Sequence, residues 1–416
     1  MNTKTGVLLV LCFMLGPSYA QDRLQPERLE KLTRAINGKD IEIKCRAIEE
    51  LGQAVKDNKI AQKVLIEYLF NDTYFATDVI VVGALSRSDS SVVKQIIKKC
   101  DDSNSVHRHR NLEKAIFVFG RMGTKAKGSI PFLLEQLDKY KEDPEMEGYI
   151  RVVLANVGYK SGENLKTIDV DIRNKTTRGK AEVVQMSRCG AGEWVTDEVI
   201  QGLVNWIDVK DVNEKMYAKS DIYLYGSLAL ASIGPKAQVA QSIMKKHLRY
   251  ADMFCESCTL PIMYEIALTK IAPQKADAEE SLKKVMRCMD HRYNERWDHT
   301  TGLAVDESCY LFDVNVMKFA GKCLEDDHDP ILLCGALRIL GWIGLDAKKY
   351  VPNVITILKK NSDEECRRIA AKSLGGMADP CDIQQLESAF QKEQSYGVKA
   401  EITESIRILR LEERKY

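Results

Sequence analysis

The chain has 416 residues, 45% hydrophobic and 29% charged, with 61 basic residues against 60 acidic ones. That balance excludes the basic excess with which a protein neutralises nucleic acid or an anionic membrane surface. The apolar share is ample for a continuous core, and 10 prolines with 7% aromatics fit an all-helical chain better than an all-β one.

At the start, Lys4 precedes an apolar run from Gly6 to Leu15, and Ser18 and Ala20 hold the small-residue positions before a cut ahead of Gln21. The run is too short to cross a bilayer. The expectation is a signal peptide over 1–20 and a periplasmic or extracellular mature protein without a transmembrane segment. Cys12 leaves with the leader, and an odd number of cysteines then enters a compartment that permits disulfides. Most read as small buried core residues.

Residues 21–40 form a polar N-terminal cap with a short amphipathic helix over Pro26–Ile36. From residue 41 one phrase recurs, seen best in Ala336–Leu358, ALRILGWIGLDAKKYVPNVITIL. Small and apolar residues at helical spacing lead to a Gly-rich break, then Ala347, a Val-Pro pair and a second apolar run. The spacing predicts a helix, a tight turn and an antiparallel second helix, with Pro352 in a first turn that needs no backbone N–H. Breaks fall at Gly52, Gly123, Gly158, Gly234, Ala272, Gly344 and Gly376, at intervals near one or two times about 36 residues, the period of a helical solenoid. Val398–Glu413 places Ile402, Ile406 and Leu409 on one face and charges on the other, as a capping helix over 392–416 would.

Ala336, Leu340, Gly341, Ile343, Gly344, Ala347 and Pro352 follow the pattern A-x-x-x-L-G-x-I-G-x-x-A-x-x-x-x-P, and Ala115, Met122, Gly123, Ala126 and Pro131 follow it again. In this the chain resembles the HEAT repeat family, in particular the short bacterial repeats also found in phycobilin lyases. The resemblance implies an all-α, right-handed α-solenoid of stacked antiparallel helix pairs over 41–391. It implies a fold and no chemistry, because every residue of the pattern serves helix packing.

Two stretches break the rhythm and read as insertions, which solenoids carry as loops on the binding side. Tyr159–Lys180 (159–180) is polar and unlike a helix, and 291–306 brings aromatic, basic and histidine residues together. Within the second, Tyr293, Arg296, Trp297 and His299 are the candidate partner-binding residues, since Arg and Trp most often anchor interfaces; the plainer reading is that Trp297 pins the loop. A third, Val209–Ser220, reads as solvated.

Cys255 and Cys258 form the tightest thiol pair. Their spacing admits a disulfide, a redox pair, half of a zinc site or two core thiols. Cys334 and Cys366 each fall ten residues before a break glycine. With stacked helices about 8–10 Å apart, they read as core thiols and not a bridge. His107 and His109 read as a solvated loop. Asp169, Asp171 and Asn174 hint at a calcium loop, but Arg173 stands where an oxygen ligand is wanted. Ser-x-x-Lys at Ser91, Ser242 and Ser281 lacks the companion motifs of a serine acyltransferase.

The sequence contains no phosphate loop, zinc-protease motif, nucleophile elbow or dinucleotide fingerprint. It therefore points to an exported, non-catalytic scaffold that binds a protein partner on a curved surface. No cofactor, metal or nucleic acid is expected. The alternative is an enzyme or chromophore-handling protein of the phycobilin-lyase kind, with a reactive thiol or acidic pair on the concave face.

Overall fold

The computed structural model describes residues 25–71, 75–101, 105–208, 220–254, 259–272, 274–288, 314–325 and 329–412. Every regular element among them is a helix. The first are α1 (Pro26–Ile36), α2 (Ile41–Ala54), α3 (Lys59–Asn71), α4 (Phe75–Ser86), α5 (Ser91–Asp101), α6 (Ser105–Met122) and α7 (Ile130–Lys139). There follow α8 (Pro144–Asn156), α9 (Gly162–Asn174), α10 (Thr177–Cys189), α11 (Asp197–Ile207), α12 (Ser220–Ile233), α13 (Gln241–Phe254), α14 (Thr259–Ile271) and α15 (Lys275–Cys288). The last are α16 (Val314–Cys323), α17 (Pro330–Ile343), α18 (Val351–Lys360), α19 (Glu364–Met377), α20 (Ile383–Lys392) and α21 (Tyr396–Arg410).

The repeating phrase folds as its residues require. Gly123, Gly234 and Gly344 take φ of +57°, +75° and +66°, a region that a side chain rarely tolerates and that lets a helix stop without a long loop. After each comes a seven-residue 3₁₀ turn whose alanine (Ala126, Ala237, Ala347) is fully buried. Pro131 and Pro352 stand in the first turn of the following helix, as expected. Starts are capped by short acids: Asp40, Asp143, Asp329 and Asp363 each accept a backbone N–H from their own first turn, typically worth about 1 kcal/mol apiece.

The pairs stack into two layers. In one, α2, α4, α6, α8, α10, α12 and α14 pack side by side as the rungs of a ladder, with the intervening helices forming a flanking layer. The ladder then changes step. It passes from α14 to α15, from α15 to α17, and on through α19 to α21. The fold is thus an all-α solenoid of stacked antiparallel helix pairs.

Three findings bear on the expectations. Tyr159–Lys180 is no loop: Ser161 caps α9, Ile168 and Ile172 are buried, and α10 begins at Thr177. This stretch is an ordinary flanking helix whose polar face masks a helical stripe. Second, 330–360 is apolar enough by composition to span a membrane, but it consists of α17 and α18 bent back at Gly344, more than half buried in the stack. Third, Gly52 and Gly376 lie inside helices, where a Cβ would meet Ala84 and the Gly341 carbonyl respectively. They permit close approach between rungs and do not mark breaks.

Candidate functional site

Tyr293, Arg296, Trp297 and His299, and likewise Cys255 and Cys258, lie outside the described residues, as do most of Val209–Ser220 and the leader. Other candidates can be placed. His107 and His109 stand in α6 and not in a loop, with the exposed His109 3.6 Å from Glu113 and edge-on to Tyr140. Asp169 and Asp171 are on α9 but do not converge on a cation. Asp169 pairs with Arg173, one turn on, while Asp171 accepts from Thr176 and Arg178. Among the described residues no group of three or more acids, histidines or cysteines is placed to hold a metal.

The described residues do present two features that the sequence did not announce. The first is a seam. The opening helices return to the far end of the chain and dock on α19, α21 and the turn before α18. Arg46, fully buried, donates to the Gly376 and Ala378 carbonyls at 2.6 and 2.7 Å, and its Nε donates to Glu50. Arg28 also binds Glu50 and reaches toward the Leu409 carbonyl, while Arg407 bridges Asp40, Glu42 and Glu404. At the rim, Asp346 accepts from Gln53 and Arg87. These bonds join residues some 260 to 380 positions apart, so α21 is not an end cap facing water. Its charged face is used against the first repeat.

Glu49 faces this seam beside Gly344, among Arg46, Arg87, Asp346 and Glu50. Burial pushes its carboxyl up to about 7, against the opposing pull of Arg46 and Arg87. The seam therefore contains an acid that sits best when protonated.

The second feature is a charged interior where α8, α9 and α10 meet. Arg178 donates to Asp171 and Glu147; Arg151 donates to Glu147 and Asn164. Behind them Glu182 is 0% exposed, and neither of its carboxylate oxygens has a hydrogen-bond partner. Burial first, and then the Asp171 charge, raises its carboxyl well above the ordinary range, so Glu182 is held as the neutral acid. The rungs are covered on nearly all sides here: α8 is buried from Met146 to Val157 except at Arg151. Asn156 adds a polar clasp, donating to the Gly190 carbonyl and accepting from Gly192 and the Trp194 indole.

The thiols of Cys100 and Cys189 are pushed up to about 12 by burial, which keeps them protonated and unreactive. Cys334 and Cys366 are also buried, as expected, but their sulfurs are only 3.2 Å apart. Both are free thiols, as expected; they come this close because the Cα atoms of facing helices lie nearer to each other than the helix axes do. With a Cα radius of about 2.3 Å on each helix, axes about 8–10 Å apart leave facing Cα atoms roughly 3.5–5.5 Å apart.

Residues 317–407 match the family model for HEAT repeats. Those residues are HEAT repeats, and the same helix–turn–helix phrase recurs outside them at α6–α7 and α12–α13. No curated protein matches the chain. Among solved structures it is similar to the karyopherin Kap121p bound to the SUMO protease Ulp1p, at 13% identity and a TM-score of 0.35, over 92% of this chain and 52% of that one. It is similar also to a mutant of Kap121p, at 12% identity and a TM-score of 0.34, over 92% and 53%. The chain spans about half the length of these structures.

Proposed function

We propose that the protein is an exported, non-catalytic scaffold that binds another protein through its HEAT-repeat surface. The observation that carries this reading is the stack itself. Many of its described charges pair with one another, some from rung to rung, as in the run from Arg338 to Glu365, Arg368 and Glu401. Its described buried thiols include two with sharply raised pKa values. Such a surface suits recognition spread over many side chains better than chemistry at one point. The near-neutral balance of 61 basic and 60 acidic residues supports a protein partner over nucleic acid. Export rests on the leader-like stretch Met1–Ala20, and the anchor on Tyr293, Arg296, Trp297 and His299.

The test is a pull-down with the tagged mature chain from its own extracytoplasmic fraction. A folded variant with Arg296, Trp297 and His299 changed to alanine runs beside it. The expected result is one protein retained by the parent and lost from the variant. Equal retention by both would keep the scaffold and move its anchor elsewhere. A small molecule on the purified chain, with no protein retained, would overturn the reading in favour of ligand handling.

A further inference from the structure

Cys334 on α17 and Cys366 on α19 are both fully buried, with sulfurs 3.2 Å apart across the gap between neighbouring rungs. The two helices are held in register there. Ser373 donates to the Leu337 carbonyl at 2.8 Å. A Cβ on Gly341 would lie 3.0 Å from Ser373, and one on Gly376 would lie 2.7 Å from the Gly341 carbonyl. At the other end, Asp363 caps α19 by accepting from the Cys366 amide, and the Cys366 sulfur also lies 3.5 Å from the Pro330 carbonyl. Both backbones are thus held on either side of the sulfurs, which must close by only about 1 Å to reach a bond of about 2.05 Å.

We propose that Cys334 and Cys366 are a disulfide site, oxidised as the chain folds and tying α17 to α19. The oxidant is a disulfide of the small-molecule or carrier-protein class. One cysteine thiolate attacks it, forming a mixed disulfide and releasing the first oxidant thiol. The second cysteine then attacks the mixed disulfide at the protein sulfur, forming the Cys334–Cys366 bond and releasing the second thiol. The two protein thiols lose two electrons and two protons, and the oxidant gains both as two thiols. Oxidation must precede closure of the rungs, because neither sulfur is exposed afterwards. The bond would stiffen the helix whose Gly376 and Ala378 carbonyls receive Arg46, and so would hold the receiving half of the seam.

Formation in the cell rests on the export reading, whereas formation in vitro does not. The mature chain is refolded in a glutathione redox buffer, remaining thiols are blocked with N-ethylmaleimide under denaturing conditions, and tryptic peptides are mapped without reduction. The expected product links 323–338, alkylated at Cys323, to 361–367 and is about 2 Da lighter than those two peptides with Cys334 and Cys366 as thiols. Cys323 shares the first peptide, so variants separate the two. The link survives in Cys323→Ser and is lost in Cys334→Ser and Cys366→Ser, and the oxidised parent melts several degrees above its reduced form. Full alkylation of both cysteines in the refolded, helical parent would overturn the proposal, as would a link that follows Cys323. A link formed in vitro but absent from chain isolated from its native compartment would leave the site standing and refute export.

Discussion

The rungs α17, α19 and α21 and the rungs α8 and α10 pack by the same device and differ in what they enclose. In both, glycine lets helices approach: Gly341 meets Ser373 and Gly375 meets Ser405 in the first set, and Gly148 meets Arg178 and Ala181 in the second. Within the first set the rungs' own charges stay toward the rim, paired from helix to helix as in Glu365, Arg368 and Glu401. Around the second they go inside, where Asp171, Glu147 and Glu182 are buried. Backbone geometry and the chemistry of the interior are therefore separate choices. A repeat can keep its turns and glycines while exchanging an apolar filling for an ionic one.

The largest expected effect comes from breaking the ionic filling. Arg178→Met leaves the buried Asp171 without its cation and Glu147 with Arg151 alone, and should destabilise the α8–α10 region by about 3–5 kcal/mol. Hydrogen exchange should quicken across α9 and α10, while α17–α21 stay protected. Equal loosening of both regions would show that they are not separate. Glu182→Met acts in the opposite direction, replacing an acid whose oxygens lack partners. At pH 8 it should stabilise by about 1–3 kcal/mol, with little gain at pH 4, and thermal melts at both values would read this directly.

Glu49 at the seam is the intermediate case. The folded chain keeps its proton up to about pH 7, whereas an ordinary glutamate loses it near 4.5. Its contribution is thus whole below about 4.5 and declines as the pH rises toward 7. Glu49→Gln should flatten that decline and melt higher than the parent at pH 8, by about 1–2 kcal/mol after allowing for its partial exposure. A variant that instead loses stability at pH 8 would mean the carboxylate is ionised and paired. Smallest of all, Arg368→Ala at the rim should cost only about 0.5–1 kcal/mol, and a loss as large as that of Arg178→Met would erase the distinction between the two sets of rungs.

Most of the architecture was readable from spacing alone. α1 occupies Pro26–Ile36 as the periodicity predicts, and the break glycines at 123, 158, 234 and 344 all take positive φ. The misreadings have one cause. The polar residues of 159–180 read as a loop, yet Asp171 is buried and Arg178 largely so, each against the other. Hydropathy reports what a side chain would do alone, and cannot see that its partner arrives from the next helix. The seam was invisible for the same reason at longer range: nothing near Arg46 hints that its acceptors are the carbonyls of Gly376 and Ala378. Glu182 left a fainter trace, one turn after Arg178 and flanked by the apolar Ala181, Val183 and Val184.

The seam has a consequence for how such a chain can change over time. An open stack can gain or lose a repeat at little cost, because each unit meets only its neighbours. Here the arginine of the second helix must find two particular carbonyls near the other end, as a buckle must find its hole. Duplicating or deleting any single pair between them would carry that hole out of reach, so the number of repeats is itself an inherited, fixed dimension of the molecule.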